Sequence, residues 1–227
     1  MNRRNFIKSA SALTIYLLAP VKFYAGKTYK STVKIYKHYL QKIIELINSL
    51  KKEKSNLVLK IMDGKKYVFD PYYHYPWQGG ILDEKTGSRI FFHAHRKNEY
   101  GHFHTFINDE NGDLVHLVLI SMNKDGYPTG LSTVNTWVTG DKYVEAAKLK
   151  KLLDSFRMNP ENYKDERVIQ FIELMFKSYK DVIYKLFDER DEWIENYTFK
   201  YTKEPFEDRN YEVLSSKEIN IYEDIRT

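Results

Sequence analysis

Four of the seven histidines of this 227-residue chain form two His-x-His pairs, His93 with His95 and His102 with His104. Neutral imidazole nitrogens bind zinc, copper and iron, so several of them at one point would hold such an ion. The chain has no cysteine, which leaves imidazole, carboxylate and water as the expected ligands. The pairs therefore predict a transition-metal site, with zinc, copper or iron as the candidate cofactor.

The two pairs are expected on neighbouring strands of a β-hairpin. Side chains alternate between the faces of a strand, so both histidines of a pair point the same way. A loop over residues 96–101 would place His95 opposite His102. The same register sets His93 opposite His104, so that all four imidazoles share one face. Opposite Cβ atoms lie about 5 Å apart, which lets imidazoles converge on an ion roughly 2.0–2.1 Å from each nitrogen.

A second interpretation of the four histidines needs no catalysis. They could hydrogen-bond to one another, to the backbone or to a polar ligand, in a binding module or a metal carrier. Three protein ligands with an open position would mark a catalytic site, whereas four would mark a structural or storage site. Because the sequence does not fix this number, a metalloenzyme acting on a small substrate and a non-catalytic carrier both stay open.

Two neighbouring residues could complete the centre. Glu99 lies in the predicted loop, where a solvated carboxylate is the alternative role. His116 alternates with Leu114 and Val118, a pattern more typical of a core histidine than of a ligand. Both are therefore secondary candidates for the metal site.

The first histidine pair also matches part of the cupin metal motif. The spacing of that motif is met by Gly87, His93, His95 and Glu99. The match fails at Phe106, where the motif has glycine, and the histidine of the second motif is absent around residues 128–130. A cupin-like metal-dependent enzyme is therefore only a further alternative.

Aromatic residues supply the candidates for substrate binding. The segment 67–77 is rich in rings and holds two prolines, and is expected to be an extended loop that lines a pocket or caps the sheet. Its candidate residues are His74, Tyr75 and Trp77. Asn135 and Trp137 alternate on a strand predicted over 131–138, where the indole would stack on a bound group and the amide would orient it. Thr139 is then the expected N-cap of the next helix.

Hydrophobic periodicity predicts the elements that position these residues. With 42% hydrophobic and 15% aromatic residues, the chain can bury a core. The predicted elements are a helix over 31–53, a hairpin over 57–69, strands at 88–95, 102–108, 114–122 and 131–138, helices at 144–156 and 168–193, and an edge strand within 211–221. They indicate one α+β domain over residues 26–227, in which an antiparallel sheet of about six strands is flanked by an N-terminal helix and two C-terminal helices.

The N-terminus has the features of an export signal. A basic segment, 1–8, precedes an apolar run, 10–21, that is too short to cross a bilayer as a helix. Its two arginines followed by Asn-Phe-Ile-Lys resemble the twin-arginine signal. We therefore expect a twin-arginine signal peptide over residues 1–25, the export machinery as a partner, no stable membrane anchor, and a periplasmic or otherwise exported mature protein.

Charge and missing motifs exclude several function classes. The net charge of +5 falls by four when the signal with its two arginines and two lysines is removed, so the mature chain is near neutral. Without a basic block it has no electrostatic footprint for nucleic acid. The sequence also lacks a Gly-x-Ser-x-Gly elbow and a glycine-rich phosphate loop. A small molecule is therefore the expected ligand or substrate.

Several motifs resemble an uncharacterised bacterial family of unknown function. They are His74-Tyr75-Pro76, His93-Ala94-His95, Gly101-His102-Phe103-His104-Thr105-Phe106, His116-Leu117-Val118 and Asn135-Thr136-Trp137-Val138-Thr139-Gly140. The resemblance covers most of the predicted mature chain. It implies a shared fold and a shared site, and it names no reaction.

Overall fold

Seven strands form one antiparallel sheet in the computed structural model, which describes residues 34–226 of the chain. Their bounds are β1 (Asp70–Tyr75), β2 (Ile81–Asp83), β3 (Ser88–Ala94), β4 (Gly101–Asn108), β5 (Leu114–Met122), β6 (Pro128–Val134) and β7 (Val213–Glu218). The order across the sheet is β1-β3-β4-β5-β6-β7, and β2 pairs with β3 beside β1. The predicted α+β class with an antiparallel sheet is confirmed, and β7 is a C-terminal edge strand.

Helices precede and follow the central strands in the chain. Within residues 34–226 they are α1 (Lys37–Lys52), α2 (Leu57–Met62), α3 (Thr136–Thr139), α4 (Ala146–Ser155), α5 (Glu166–Ser178), α6 (Lys180–Tyr201), α7 (Ile221–Asp224) and a 3-10 helix (Pro160–Asn162). Apolar residues of α1 at three- and four-residue spacing are buried, namely Leu40, Ile43, Ile44, Ile47 and Leu50. The predicted amphipathic N-terminal helix is therefore confirmed.

The single C-terminal helix predicted over 168–193 is instead two helices, α5 and α6, which meet at Tyr179. At the junction the carbonyl of Ser178 accepts a hydrogen bond of 2.9 Å from the backbone N–H of Tyr36. The hydroxyl of Tyr179 donates to the carboxylate of Asp224 at 2.7 Å. Tyr36 and Asp224 are both distant in sequence from the junction. The local helical periodicity over 168–193 therefore does not reveal the break.

The hairpin predicted over 57–69 is wrong, because its first half is the helix α2. The side chain of Asn56 caps this helix by accepting from the N–H of Leu59 at 2.9 Å, and Asp63 ends it with a left-handed φ of 55°. The buried residues of α2 are Leu57, Val58, Ile61 and Met62. A six-residue apolar run fits a buried strand and a helix equally well, and here the caps decide for the helix.

The strand predicted over 131–138 ends early, at Val134. Asn135 then caps α3 by accepting from the N–H of Thr136 at 2.9 Å, and Gly140 ends α3 at a φ of 64°. The predicted N-cap role of Thr139 is also wrong, since this residue belongs to α3 and the next helix, α4, begins after Glu145. The predicted extended segment 67–77 contains the edge strand β1.

One face of the sheet packs on helices, and the other carries the histidines. On the packed face the rings of Phe103 and Phe171 lie 6.0 Å apart, which joins β4 to α5. Ser215 of β7 donates its hydroxyl to the carbonyl of Leu186 in α6 at 2.8 Å. Burying apolar side chains between sheet and helices stabilises the fold and holds the strands that bear the site.

The predicted signal peptide, residues 1–25, lies outside the described residues, so the division into signal and domain stays a prediction. None of the helices within 34–226 combines the length and apolar composition needed to cross a membrane.

Candidate metal centre

Strands β3 and β4 bring the two histidine pairs together. His93 lies directly opposite His102, and Phe91 lies opposite His104. This register differs by two residues from the predicted one, because β3 ends at Ala94 and leaves His95 in the following loop. Since the side-chain period of a strand is two residues, a two-residue shift keeps the same faces together. The histidines of both strands therefore still meet on one face.

Three Nε2 atoms converge at the centre of this face. The Nε2 of His102 lies 2.6 Å from that of His93 and 3.1 Å from that of His104. The third separation, between His93 and His104, is 3.0 Å. In a tetrahedral site with bonds of 2.0–2.1 Å the nitrogens lie about 3.3 Å apart, so the three rings stand close to the positions of metal ligands.

The outer nitrogens of two rings fix where the hydrogens lie. Nδ1 of His93 donates to the carbonyl oxygen of Pro71 at 3.0 Å, and Nδ1 of His102 donates to the carboxylate of Glu99. A neutral imidazole carries one hydrogen, so Nε2 of each ring presents a lone pair. With these tautomers, two lone pairs face each other at 2.6 Å. A cation placed between these two nitrogens could bind both lone pairs.

His95 extends the cluster toward solvent. Ligand atoms of His93, His95 and His102 lie within 4.8 Å of one another, a group that could hold a metal ion. The ring of His95 lies 4.7 Å from that of His93 and 5.0 Å from that of His102. His93 and His102 thus belong to two overlapping triads, one completed by His104 inside the protein and one by half-buried His95.

Burial keeps these imidazoles neutral. His93, His102 and His104 are at most 5% exposed. Burial is the main cause that lowers the pKa of His93 to about 2, and the neighbouring histidines add to it. Burial likewise holds the pKa of His102 and of His104 well below the usual value. A proton is therefore a poor occupant for this cluster, whereas a metal ion binds neutral imidazole.

Glu99 and His116 stand behind the converging nitrogens. The Glu99 side chain is 6% exposed and accepts from His102, and burial is the main cause that raises its pKa. Because His102 stays neutral, this contact is a hydrogen bond to a carboxylate and no ion pair. Nε2 of His116 lies 2.9 Å from Nδ1 of His104. Both residues, considered as ligands from the sequence, contact ligand candidates from the side away from the centre.

Aromatic rings wall one side of the cluster. The ring of Phe91 lies 5.1 Å from that of His104 and 5.5 Å from that of Phe106. On its other side Phe91 stacks on His74 at 4.0 Å, and His74 in turn lies 5.4 Å from His93. This aromatic wall lowers the local polarity, so a charge buried beside it must be stabilised by the groups that bind it.

A large cleft opens beside the cluster on the same face of the sheet. Its volume is about 1120 Å³, and it is lined by His95, Arg96, Glu99, Ser121, Ser132, Glu212 and residues of β7 and α7. Strand pairing explains the polar floor: Ser121 lies beside His102, and Ser132 lies between Leu119 and Ser216. Hydroxyl groups therefore continue the histidine face, and a polar molecule could reach His95.

The predicted substrate residues lie outside the cleft, and His74 lies beside His93. Tyr75 is fully buried and donates its hydroxyl to the carbonyl of Lys66 at 2.6 Å. Asn135 and Trp137 do not share a strand face, and both donate to the carbonyl of Tyr211, each at 3.1 Å. Trp77 is 47% exposed, and His74 packs in the aromatic wall. None of these residues lines the cleft.

Sequence reasoning missed Arg96 and Glu212. The Nε of Arg96 lies 3.5 Å from a carboxylate oxygen of Glu212, and its Nη1 lies 3.9 Å from one of Glu99. Arg96 is adjacent to a predicted ligand, which was a usable signal. Glu212 is far away in the chain, and only the sheet topology brings it to the cleft.

Comparison with known proteins gives a family and no activity. No curated protein and no solved structure matches the chain. One family model, described as a domain of unknown function (DUF6969), matches residues 37–219, a range that includes every histidine of the centre. The chain therefore belongs to the DUF6969 family of unknown function.

Proposed function

We propose that this protein binds one transition metal ion, zinc, copper or iron, through the Nε2 atoms of His93, His102 and His104. His95 is the fourth candidate ligand and approaches from the cleft. The observation that carries this proposal is the 2.6 Å separation between the Nε2 atoms of His93 and His102, which both present lone pairs when their Nδ1 atoms donate to Pro71 and Glu99. Lone pairs at this distance repel each other, and a cation bound to both turns the repulsion into attraction.

The surroundings of the cluster support the same proposal. Metal-bound histidines usually donate their other ring nitrogen to a carboxylate or a carbonyl, which fixes the ring and makes it more basic. Glu99 supplies the carboxylate to His102, and Pro71 supplies the carbonyl to His93. Histidines that served only as core residues would not need acceptors for their Nδ1 atoms together with Nε2 atoms that converge on one point.

We further propose that the protein is a metalloenzyme acting on a small polar substrate. A bound ion would supply Lewis acidity and lower the pKa of a bound water molecule. Around it, Glu99 and Pro71 orient two ligands, and the wall of Phe91 and Phe106 limits access by water on one side. The cleft of about 1120 Å³ beside His95 gives a substrate access from the other side.

A non-catalytic metal carrier is the second candidate. It is favoured if all four histidines bind the ion together, because four tight ligands close a tetrahedral site. The cupin-like alternative is not proposed, since cupins are double-sheet jelly rolls and residues 34–226 form one open sheet.

Export by the twin-arginine pathway remains part of the proposal. The support is the basic start with two arginines followed by an apolar run. Replacing Arg3 and Arg4 by lysine should keep the protein in the cytoplasm, measured by cell fractionation. Unchanged delivery to the periplasm would contradict this assignment.

Thermal unfolding with and without a chelator tests the proposed metal site. A ligand that binds only the folded state stabilises it, so removing the metal should lower the Tm of the wild type. His102→Ala removes the central nitrogen and should abolish the dependence on the chelator. His38→Ala changes an exposed histidine of α1 and should keep it. Equal Tm values for the wild type in both conditions would refute the proposal.

A further inference from the structure

We propose that the metal site takes a carboxylate from the cleft as an additional ligand, and that Arg96 binds this carboxylate. This inference rests on the proposed metal site and names the chemical class of its substrate. An anionic oxygen group is expected because of charge, and Arg96 is expected to bind it because of its position and because its Nη1 has no hydrogen-bond partner within residues 34–226.

The charge of the centre argues for an anion. Its four ligand candidates are neutral imidazoles, so they leave the charge of a divalent ion uncompensated. Glu99 is the carboxylate that contacts the cluster, and Arg96 faces the same Glu99 oxygen that His102 contacts. In a sheltered site an uncompensated charge is costly, and a bound anion reduces this cost.

The position of Arg96 allows it to contact such an anion. It follows His95 directly in the chain, and both residues line the cleft. Its Nη1 is shielded from solvent and has no hydrogen-bond partner within residues 34–226. Its ion-pair partner, a carboxylate oxygen of Glu99, lies at 3.9 Å, which is beyond hydrogen-bond distance. A guanidinium with a free donor is well suited to a carboxylate.

The rest of the cleft directs an anion toward the histidines. At their end Arg96 and Lys97 balance Glu99 and Glu212. The opposite end, formed by β7 and α7, carries Glu218, Glu223 and Asp224 beside one cation, Lys217, and would repel a negative group. The carboxylate of a ligand is therefore favoured beside His95 and Arg96, with its uncharged part over the serine floor.

Spectroscopy of the full chain loaded with Co²⁺ tests this inference. The visible bands of bound Co²⁺ respond to a change of ligands, so acetate should shift them in a saturable way. Acetamide has the same shape without the charge and should leave them unchanged. Arg96→Gln should weaken acetate binding about tenfold by removing a charged hydrogen bond, with Co²⁺ content unchanged. Lys97→Gln, a matched change of a neighbouring exposed cation, should weaken it by about twofold at most.

The outcomes separate this inference from the metal site. A protein that takes up no Co²⁺ would refute the proposed metal site and the carboxylate position with it. A protein that binds Co²⁺ but shows no response to acetate, or an equal response to acetamide, would overturn the carboxylate position alone. Equal acetate affinities in the Arg96→Gln and Lys97→Gln variants would overturn the role of Arg96.

Discussion

Nδ1 of His104 lies 2.9 Å from Nε2 of His116, although the two residues belong to different strands. His104 thus contacts the converging nitrogens through its Nε2 atom. Its Nδ1 atom contacts His116, which is also buried. The backbone N–H of His116 in turn donates to Asp141 at 2.9 Å. This chain of contacts fixes the ring of His104 before any ion binds.

Replacing His116 by phenylalanine should weaken metal binding. The ring volume is kept, while the hydrogen-bond partner of His104 is lost, and such partners typically change affinity about 10–100-fold. Competition with a chromophoric chelator measures the effect. The exposed His38→Ala variant provides the control, and an affinity equal to wild type in His116→Phe would show that the contact does not orient His104.

Glu99 should act through its hydrogen bond to His102. Glu99→Ala leaves Nδ1 of His102 without its acceptor in a buried place, so metal affinity should fall by about 10–100-fold. Glu99→Gln keeps an acceptor oxygen and should recover part of that loss. The same competition assay compares both variants. If the glutamine variant were weaker than the alanine variant, the contact with His102 would not explain the role of Glu99.

Gly101→Ala should destabilise the fold and disturb the site. A Cβ at this position would lie 2.7 Å from the backbone carbonyl of His93 and would also meet the ring of Phe92, so β3 and β4 would have to separate. At Gly130 a Cβ would lie 3.6 Å from its nearest neighbour, Ser121, which is ordinary contact. Urea unfolding should therefore show a clear loss of stability for Gly101→Ala and little change for Gly130→Ala. Equal losses would contradict the close approach of the two strands.

The metal-free protein should lose stability as the pH falls below about 6.5. Burial lowers the pKa of His93 to about 2 and that of His116 to about 3, from an ordinary value of 6.5. Between these pH values the unfolded state binds more protons than the folded state. Each such histidine therefore reduces the free energy of unfolding by about 1.4 kcal/mol for each unit by which the pH falls. Glu99 and Asp141, whose pKa values burial raises, give a smaller effect of opposite sign.

Urea unfolding between pH 6.5 and pH 5 measures this slope. His116→Phe removes one of the four buried histidines of the cluster and should reduce the slope by about one proton. Stability that is independent of pH in this range would contradict the buried, neutral state of the histidines.

The sequence predicted the sheet, the first helix and the shared face of the histidines, because these depend on local periodicity. It did not predict the register of β3 against β4, since either of two registers two residues apart puts His93 and His102 on the same face. The sequence does not predict α2, because a short apolar run fits a helix and a strand alike, and the signal for the helix is its cap, Asn56.

The cleft could not be predicted from the sequence. Arg96 and Glu212 meet because β7 pairs with β6 at the edge of the sheet, and no local pattern shows this pairing. Asn135 and Trp137 have the alternation of a strand. Long-range contacts to Tyr211 instead hold Asn135 at the N-cap of α3 and Trp137 within α3. Both cases are decided by tertiary contacts, which one sequence does not reveal.

Elemental analysis of protein purified from its native compartment tests whether the clustered histidines form a metal centre. One equivalent of zinc, copper or iron per chain is expected in the wild type and in His38→Ala. In His93→Ala and His102→Ala, which each remove one of the two facing Nε2 atoms, the content should fall close to zero. Negligible metal in the wild type, or equal metal in all four proteins, would contradict a metal centre at these histidines.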